Sequence, residues 1–383
     1  MPIAKVEKNR RDESMYKMMT PGPTMVAENV RMARSLETGN PDFDLEFYDY
    51  YKETCELYSQ LLYTKNESLI LSGEGILGLE AAVASLTEQG DRVLVLDNGV
   101  FGKGFADFVN LYGGEPVVYT TDYKREIDVD VLKEYLEQDS NFKYATLVHC
   151  DTPSGMLNPI DKLCPLLKEY GILTVVDSVS GMFGNEVRVD DWGIDILCGG
   201  SQKAISAPIG LTLVTISEDA KQAMKNRKTQ IAAFYANLTV FENYYEKKWL
   251  PYSMPVSDIY GLRQALDNIK ADDDFLLRHE RIAAKTRDAL IKSGLKLYAE
   301  NGYSNTVTVF QVPEGVTAEQ LLKTIREDYH ILLAGSFDVL AGEVIRIGHM
   351  GYNCTDDNMK ETFVALSDAL QKLNVTLAQP LVY

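Results

Sequence analysis

The chain has no long apolar segment and an excess of acidic over basic residues, and both features narrow what the protein does. None of its 383 residues lies in an uninterrupted apolar stretch of about 18, so no transmembrane helix is expected. The first twenty residues are polar and lack the apolar centre of a signal peptide, so we expect a cytoplasmic protein. With 38 Lys and Arg against 56 Asp and Glu the net charge is −18, which disfavours nucleic acids and anionic membranes as partners.

Cysteine is also scarce, and its spacing excludes two kinds of site. The five cysteines are odd in number and never spaced as Cys-x-x-Cys, so neither a disulfide framework nor a zinc site is expected, and no other metal site is indicated. We expect them to be reduced, small buried side chains. They are Cys55, Cys150, Cys164, Cys198 and Cys354.

Short apolar runs alternate with helical patterns between residues 69 and 217. The runs lack polar alternation, which is typical of strands covered on both faces, and the helices between them favour parallel crossover connections. The sequence therefore predicts a large α/β domain with a mainly parallel, seven-stranded sheet between helices. The seven runs are SLILS, RVLVLDN, PVVYTT, ATLVHC, ILTVVDS, IDILCGG and GLTLVTIS.

The pattern changes after about residue 273. A long charged helix, a strand, a helix beginning at Thr317, two strand-like runs (ILLAGSF and EVIRIGHM) and a closing helix capped by Thr355 follow one another. This order predicts a smaller C-terminal α+β domain. We expect an N-terminal arm over 1–24, a large domain over 25–272 and a small domain over 273–383.

Ligands of open parallel sheets bind beyond the carboxyl ends of the strands, so the residues there are candidates for the site. Gly73-Glu74-Gly75 follows the first run and precedes a helical pattern, which suits a phosphate cradle made of backbone N–H groups. A tight turn is the alternative. Because the Glu74 carboxylate would repel a phosphate, we expect its side chain to face away and only its backbone to contribute.

Two charged residues follow buried strands. Asp177 needs a cation or several hydrogen-bond donors to offset its desolvation, or else caps the next helix. Lys203 follows Gly199-Gly200 and is suited to Schiff-base chemistry if burial lowers its pKa, or else lies in solvent. Arg346, in an alternating run of the small domain, grips a substrate carboxylate or pairs with an internal carboxylate.

Aromatic and histidine side chains complete the candidates. Phe101 is either core packing or a stacking surface for a flat conjugated ligand. His149 is either hydrogen bonded at its strand end or in contact with a cofactor. His279 and His330 have no metal-like spacing, and we expect both at the surface.

Taken together, these residues predict one chemistry. A phosphate cradle, a stacking aromatic, a carboxylate for a pyridinium nitrogen, a Schiff-base lysine and an arginine for a substrate carboxylate describe a pyridoxal 5′-phosphate site. No single member of the set would carry this inference.

The same residues are similar to a known family over nearly the whole chain. The sequence resembles class V, fold-type I pyridoxal-phosphate-dependent aminotransferases, in particular the alanine–glyoxylate and serine–pyruvate aminotransferase group. The matching segments are TPGPT near residue 20, SGEG with LEAA, NGVFG, HCDTPSGMLNPID, VVDSVS, IDILCGGSQKAISAPIG and VIRIGHMG followed by NCT.

The resemblance implies roles for the residues around the cofactor ring. Lys203 would form the internal aldimine, and Asp177 would pair with the pyridinium nitrogen. Phe101 would stack on the ring, Val179 would pack against it, and Thr152 would reach the side that carries the 3′-oxygen.

It also implies the contacts of the phosphate. Gly75, Ile76 and Gln202 would bind it, and Glu74 and Ile76 would contribute through their backbone, since their side chains differ from the small polar residues common in the family.

The remaining implied contacts concern the substrate and a second subunit. Gly22 and Arg346 would bind the substrate, the arginine through its α-carboxylate. Tyr252 and Ser253 resemble a segment that reaches the phosphate of the neighbouring subunit's cofactor, which implies a homodimer with shared sites.

We therefore expect a ping-pong aminotransferase that moves the amino group of alanine or serine to glyoxylate or pyruvate. Two relatives remain as alternatives, 2-aminoethylphosphonate–pyruvate and (S)-ureidoglycine–glyoxylate aminotransferases. A cysteine desulfurase is disfavoured by the position of Cys354, and a cofactor-binding protein without turnover is disfavoured by the presence of both Lys203 and Arg346. Residues 38–50 match no family segment, and the sequence assigns them no role.

Overall fold

A seven-stranded sheet forms the centre of the larger part of the molecule. The computed structural model describes residues 16–383. The strands of the sheet are β2 (Glu67–Ser72), β3 (Arg92–Asp97), β4 (Glu115–Thr120), β5 (Tyr144–Val148), β8 (Leu173–Asp177), β9 (Ile196–Gly200) and β10 (Leu211–Ile216). They have the order β2-β10-β9-β8-β5-β3-β4, and only β10 runs antiparallel to its neighbours. All seven predicted runs are strands of this sheet, which confirms the predicted α/β architecture.

Helices cover the sheet because its inner strands are apolar on both faces. Every residue of β5, β9 and β10 is buried, so neither face of these strands reaches solvent. The helices before residue 273 are α1 (Glu28–Arg34), α2 (Leu45–Leu61), α3 (Gly75–Leu86), α4 (Val100–Leu111), α5 (Val129–Gln138), α6 (Ile160–Glu169), α7 (Glu218–Lys225), α8 (Tyr244–Lys247) and α9 (Val256–Lys270), with a 3-10 turn at Leu238–Phe241.

The C-terminal part contains a small antiparallel sheet and three helices. Thr317 caps its second helix with a full capping box, and Thr355 caps the last, as predicted. The run ILLAGSF forms only a two-residue strand. After it, Ala334 makes a single antiparallel bridge to Arg346. The elements are α10 (Phe275–Lys292), β11 (Val307–Gln311), α11 (Ala318–Tyr329), β12 (Ile331–Leu332), β13 (Val344–Gly348) and α12 (Asp356–Lys372), with 3-10 turns at Asp338–Leu340 and Gly351–Asn353.

Three short strands remain outside these sheets. β1 (Lys17–Met18) pairs in parallel with β12, so the chain just after residue 16 packs on the C-terminal part. β6 (Cys150–Asp151) and β7 (Met156–Leu157) form a hairpin beside the carboxyl end of β5. Of the predicted arm over 1–24, residues 1–15 lie outside the part of the chain that the structure describes.

Two main apolar cores support the predicted division at residue 272. One fills the space around the seven-stranded sheet, from Val30 to Ile269, and also includes Met350. The other lies between β11, β13 and helices α10 to α12, and includes Met19. The domain bounds themselves stay a prediction.

Several buried groups bear on the expectations for cysteine and histidine. All five cysteines are buried and unpaired. His279 is fully buried and accepts a hydrogen bond from the Gly351 N–H at 2.8 Å, so the prediction of a surface position was wrong. The apolar spacing of α10 contains the signal, since His279 falls on its inward face. No helix between residues 16 and 383 combines the length and apolar character needed to cross a bilayer.

Candidate active site

The candidate residues converge at the carboxyl edge of the large sheet. Asp177 ends β8, Lys203 follows β9, Gly75 begins α3 after β2, and Phe101 lies in the first turn of α4 after β3. The parallel direction of β3, β8 and their neighbours brings these ends together, as the sequence predicted. Arg346 reaches the same region from β13.

Asp177 is a buried carboxylate with little compensation from the protein. Its Oδ1 accepts the Val179 N–H at 2.9 Å. Desolvation is the main cause that raises its pKa to about 7, and the negative charges of Asp151 and Glu74 add to it, whereas Lys203 opposes the shift. A protonated pyridine nitrogen is the kind of partner that would stabilise this anion.

Lys203 lies close enough to Asp177 and Arg346 to interact with both charges, and we call the space among these three side chains the opening. Its Nζ donates to the Pro21 carbonyl at 2.6 Å, and burial lowers its pKa. A Cβ at Gly22 would stand 2.7 Å from that nitrogen, so the segment from Pro21 to Gly22 approaches the amine only because residue 22 has no side chain. The geometry agrees with the predicted places of Gly22 and Lys203 in one site.

Glu74 does not face away from the cradle, and this expectation was wrong. Its carboxylate accepts the Ile76 N–H at 3.1 Å and so caps α3, and it also accepts the Gln202 Nε2–H at 2.9 Å. These are two of the groups expected to bind a phosphate. The Oε1 of Gln202 is enclosed without a hydrogen-bond partner.

The other residues predicted near the cofactor lie close by. A Cβ at Gly75 would stand 2.8 Å from the Val179 Cγ2, so only glycine lets α3 begin against that side chain. Thr152 is buried after the β6 strand, while half of the Ile76 side chain is exposed. The predicted contribution of the Ile76 backbone to a phosphate site stays a prediction, since its N–H is donated to Glu74.

Phe101 lies beside a residue that the sequence analysis did not select. Its N–H donates to Asp151 Oδ1 at 3.0 Å, and Asp151 is fully buried. The signal was present in the sequence, because Asp151 follows a buried strand as Asp177 does. Phe101 also meets Phe337 edge-on, with 6.0 Å between ring centroids.

Arg346 has no carboxylate in salt-bridge contact among residues 16–383, so the alternative of a paired internal carboxylate does not hold. Its Nε donates to the Gly335 carbonyl at 2.5 Å, and its guanidinium stands over the Phe337 ring at 5.5 Å. Desolvation lowers its pKa to about 10, and Asp151 partly offsets this. The planar face of the guanidinium is thus oriented while its terminal nitrogens stay available for a carboxylate.

His149 makes a hydrogen bond between its Nδ1 and the Ser178 hydroxyl at 2.8 Å. Burial lowers its pKa to about 3, so the ring is neutral. This observation favours the first reading, a hydrogen-bonded histidine at a strand end.

Tyr252 and Ser253 contact other parts of the chain. Tyr252 stacks on Tyr235 with 4.3 Å between centroids, and its hydroxyl is enclosed without a partner. Ser253 donates to Asp42 at 2.8 Å, which places part of the unassigned segment 38–50 beside it. Their predicted contact with a neighbouring subunit stays a prediction.

The donor set fits a vitamin B6 ring. The opening presents a carboxylate for a pyridinium nitrogen, an amine with a lowered pKa and a free guanidinium, and Phe101 lies at its side. The phosphate end fits only if the Glu74 side chain leaves the Ile76 N–H and Gln202 amide. Within residues 16–383 no three His, Cys, Asp or Glu side chains are grouped to bind a metal. Fold and site together define a pyridoxal-dependent enzyme.

Comparison with known proteins identifies the family. The family model of class-V aminotransferases matches residues 25–357, and the chain belongs to this family, whose members use pyridoxal phosphate. It is a pyridoxal-phosphate-dependent transaminase of the alanine–glyoxylate aminotransferase group, as the sequence predicted.

Three curated relatives are similar to this chain, and two of them have names that state their substrates. An uncharacterised aminotransferase of Methanocaldococcus jannaschii is 34% identical over 93% of both chains. A pyridoxamine–pyruvate transaminase of Mesorhizobium japonicum is 32% identical, covering 81% of this chain and 80% of that one. Rat alanine–glyoxylate aminotransferase is 29% identical, covering 92% and 87%.

Two solved structures of aminotransferases have the same fold as this chain over nearly its whole length. Ureidoglycine–glyoxylate aminotransferase of Bacillus subtilis superposes with a TM-score of 0.91 at 27% identity over 96% of both chains. Pyridoxamine–pyruvate aminotransferase of Mesorhizobium loti also gives 0.91, at 30% identity over 96% of this chain and 95% of that one. The predicted fold type is confirmed.

Proposed function

We propose that this aminotransferase exchanges the amino group of a small amino acid, alanine or serine, with glyoxylate or pyruvate. The observation that carries the proposal is the convergence of Asp177, Lys203 and Arg346 on one opening. Alanine or pyruvate is named for two of the relatives, which supports a three-carbon substrate.

Each of the three residues has one task in this reaction. When bound, pyridoxal phosphate supplies a conjugated ring that delocalises the electron pair of the substrate α-carbon. Asp177 would keep a proton on the ring nitrogen, because its buried anion otherwise accepts only the Val179 N–H. Arg346 binds the α-carboxylate, which orients the α-hydrogen towards Lys203. The Lys203 Nζ, whose pKa burial lowers, would take the proton from the substrate α-carbon and carry it to the cofactor carbon on the other side of the exchanged nitrogen.

Glu74 favours a second candidate function. Its carboxylate accepts hydrogen bonds from the Ile76 N–H and the Gln202 amide. A phosphate at these two donors would be repelled by the charge of the carboxylate and would clash with it. A ring without phosphate would leave these contacts intact. Pyridoxamine would then be a substrate that enters and leaves, giving its amino group to pyruvate and departing as pyridoxal while alanine forms, as in the name of the Mesorhizobium relative.

One experiment separates the two candidates. The purified protein is incubated with alanine and glyoxylate plus catalytic pyridoxal phosphate, or with pyridoxamine and pyruvate without phosphate ester, and products are counted per subunit. Many turnovers in the first mixture alone support the alanine–glyoxylate reaction. Many turnovers in the second alone, with equal pyridoxal and alanine, support the pyridoxamine reaction. No turnover in either would contradict both.

Variants of Glu74 test whether its carboxylate weakens the binding of a phosphate. We expect E74A to tighten pyridoxal phosphate binding by about tenfold or more, since it removes a competing charge from the cradle. E80A is the matched control, because Glu80 lies on the same helix and accepts from the Tyr112 hydroxyl instead. An unchanged dissociation constant in E74A would remove the argument for the second candidate.

We further propose that the enzyme works as a homodimer in the cytoplasm. Five unpaired, buried cysteines suit a reducing compartment. Exposed aromatic side chains near the Tyr252 segment, namely Phe234, Tyr235 and Trp249, suit a subunit interface.

A further inference from the structure

Helix α4 begins at the site without a cap from its own N-terminal residue. Gly99 occupies the N-cap position and has no side chain to accept a hydrogen bond. The first turn nevertheless has an acceptor, because Asp151 Oδ1 accepts the Phe101 N–H at 3.0 Å. A carboxylate from a distant part of the chain therefore caps the helix that carries the stacking aromatic.

The second carboxylate oxygen of Asp151 holds a different segment. Asp151 Oδ2 accepts the Ser154 hydroxyl at 2.8 Å and the Ser154 N–H at 3.3 Å. These bonds fix the turn that contains Thr152. One buried carboxylate thus joins the start of α4 to the turn that contains Thr152.

Local packing leaves Asp151 little freedom. A Cβ at Gly99 would clash with its carboxylate, so the glycine is required for this approach. Asp151 is fully buried, and no cation lies within salt-bridge distance among residues 16–383. Burial of such an anion is costly, and the three N–H and O–H donors offset the cost.

We propose that Asp151 is a positioning residue for the cofactor ring, which fixes Phe101 through its backbone N–H and fixes the Thr152 turn through Ser154. The proposal rests on the proposed stacking role of Phe101. It explains why a glycine stands at the cap position of α4 and why an unpaired carboxylate is retained in the site.

The first test compares the loss of two buried carboxylates. D151A is expected to weaken binding of pyridoxal 5′-phosphate or pyridoxal by about five- to tenfold, as for the loss of one cap interaction, and to reduce the visible circular dichroism that the protein induces in the ring. D195A is the matched control. Asp195 is also buried and accepts from Thr174 and Ser217, away from the opening. Both variants lose stability, but only D151A alters the dichroism.

The second test disturbs the same contact from the opposite side. G99A keeps Asp151 but pushes its carboxylate from the Phe101 N–H, so it should reproduce the weaker binding and altered dichroism. G104A is its control, because a Cβ at Gly104, on the same helix, meets no atom within 4 Å. If D151A does not fold, the comparison of G99A with G104A decides the matter.

F101A distinguishes failure of this inference from failure of the proposed stacking role. Reduced dichroism in F101A with unchanged dichroism in D151A and G99A would overturn the positioning role of Asp151 alone. Unchanged dichroism and affinity in F101A would overturn the stacking role, and the inference with it. Parallel changes in all three variants, with D195A and G104A unchanged, support it.

Discussion

Three ionisable side chains at the carboxyl edge of the sheet have shifted pKa values with the same principal cause. Desolvation raises the pKa of Asp177 to about 7, lowers that of Arg346 to about 10 and lowers that of Lys203. In each case burial penalises the charged form. Such a set favours binding of groups that carry the opposite charge, here a pyridinium and a carboxylate.

Asp177 makes the stability of the cofactor-free protein depend on pH. Its folded pKa exceeds the ordinary value of 3.8, so the folded state binds more protons than the unfolded state between pH 4 and 7, and stability falls as pH rises through that window. At pH 8 we expect D177N to unfold at a higher temperature than the unsubstituted protein, with a gain of up to about 4 kcal/mol. Near pH 4 the difference should vanish.

Thermal unfolding at both pH values measures this effect, and added pyridoxal phosphate provides the complementary result. The cofactor should stabilise the unsubstituted protein more than D177N, because only the carboxylate compensates a pyridinium. Equal melting temperatures of the two cofactor-free proteins at pH 8 would contradict the raised pKa.

The guanidinium of Arg346 predicts a change in substrate binding. R346K keeps the charge but loses the two-point geometry and the contact with Phe337, so kcat/KM for the amino acid should fall by about tenfold to a hundredfold. Steady-state kinetics with alanine measures the loss. R287K is the control, because Arg287 is also desolvated but donates to the Ser304 carbonyl. Equal losses in the two variants would show that Arg346 acts only structurally.

At the scale of single elements, helices α3 and α11 begin with side-chain caps of different consequence. Glu74 caps α3 inside the candidate site, so its contact with Ile76 is both structural and functional. Thr317 caps α11 at the surface of the C-terminal part. Its hydroxyl accepts the Gln320 N–H at 3.2 Å, and the Gln320 Oε1 accepts the Thr317 N–H at 2.9 Å.

The Thr317 capping box predicts a change in stability without a change in activity. T317A should lower the free energy of unfolding of the C-terminal part by about 1 kcal/mol, because the Gln320 N–H loses its acceptor. Urea unfolding followed by circular dichroism checks this. T324A is the control on the same helix, since Thr324 only donates to the Gln320 carbonyl, which already accepts within the helix. A larger loss in T324A would contradict the assignment of the cap.

At the scale of the whole molecule, charge and exposed aromatic residues act in opposite directions. The net charge of −18 disfavours association of two chains, whereas Phe234, Tyr235 and Trp249 each expose about half of their surface and could gain from it. Burial of such side chains is the principal gain in a subunit interface. Association should therefore strengthen as salt screens the charge.

The proposed homodimer is tested by light scattering. We expect about twice the chain mass of 42.9 kDa at 0.15 M salt. W249D should shift the protein towards the monomer and weaken cofactor binding, because the nearby Tyr252 segment would no longer reach a second subunit. L111D is the control, since Leu111 is an apolar side chain on α4 that is more exposed than Trp249. A monomer at all salt concentrations would overturn the proposal.

Much of this protein is determined by local sequence. The seven strands follow from short apolar runs, most of them buried on both faces, and the helix starts at Thr317 and Thr355 follow from hydroxyl caps. Asp177 and Lys203 were predicted because each charged residue follows a buried strand, and Arg346 because its charge lies between apolar residues of an alternating run. These features depend on neighbours within a few residues, so a single sequence contains them.

Only the tertiary structure decided how the site is completed. Asp151 caps helix α4, which lies some fifty residues earlier in the chain. The Glu74 carboxylate accepts a hydrogen bond from the side-chain amide of Gln202, which follows a different strand. The ring of His279, which lies on the inward face of α10, accepts the N–H of the distant Gly351. Each contact joins segments that are distant along the chain, and no local spacing encodes it. The sequence by itself determined the fold and the charged groups of the site. Only the folded chain decided which hydrogen-bond donors those charged groups pair with.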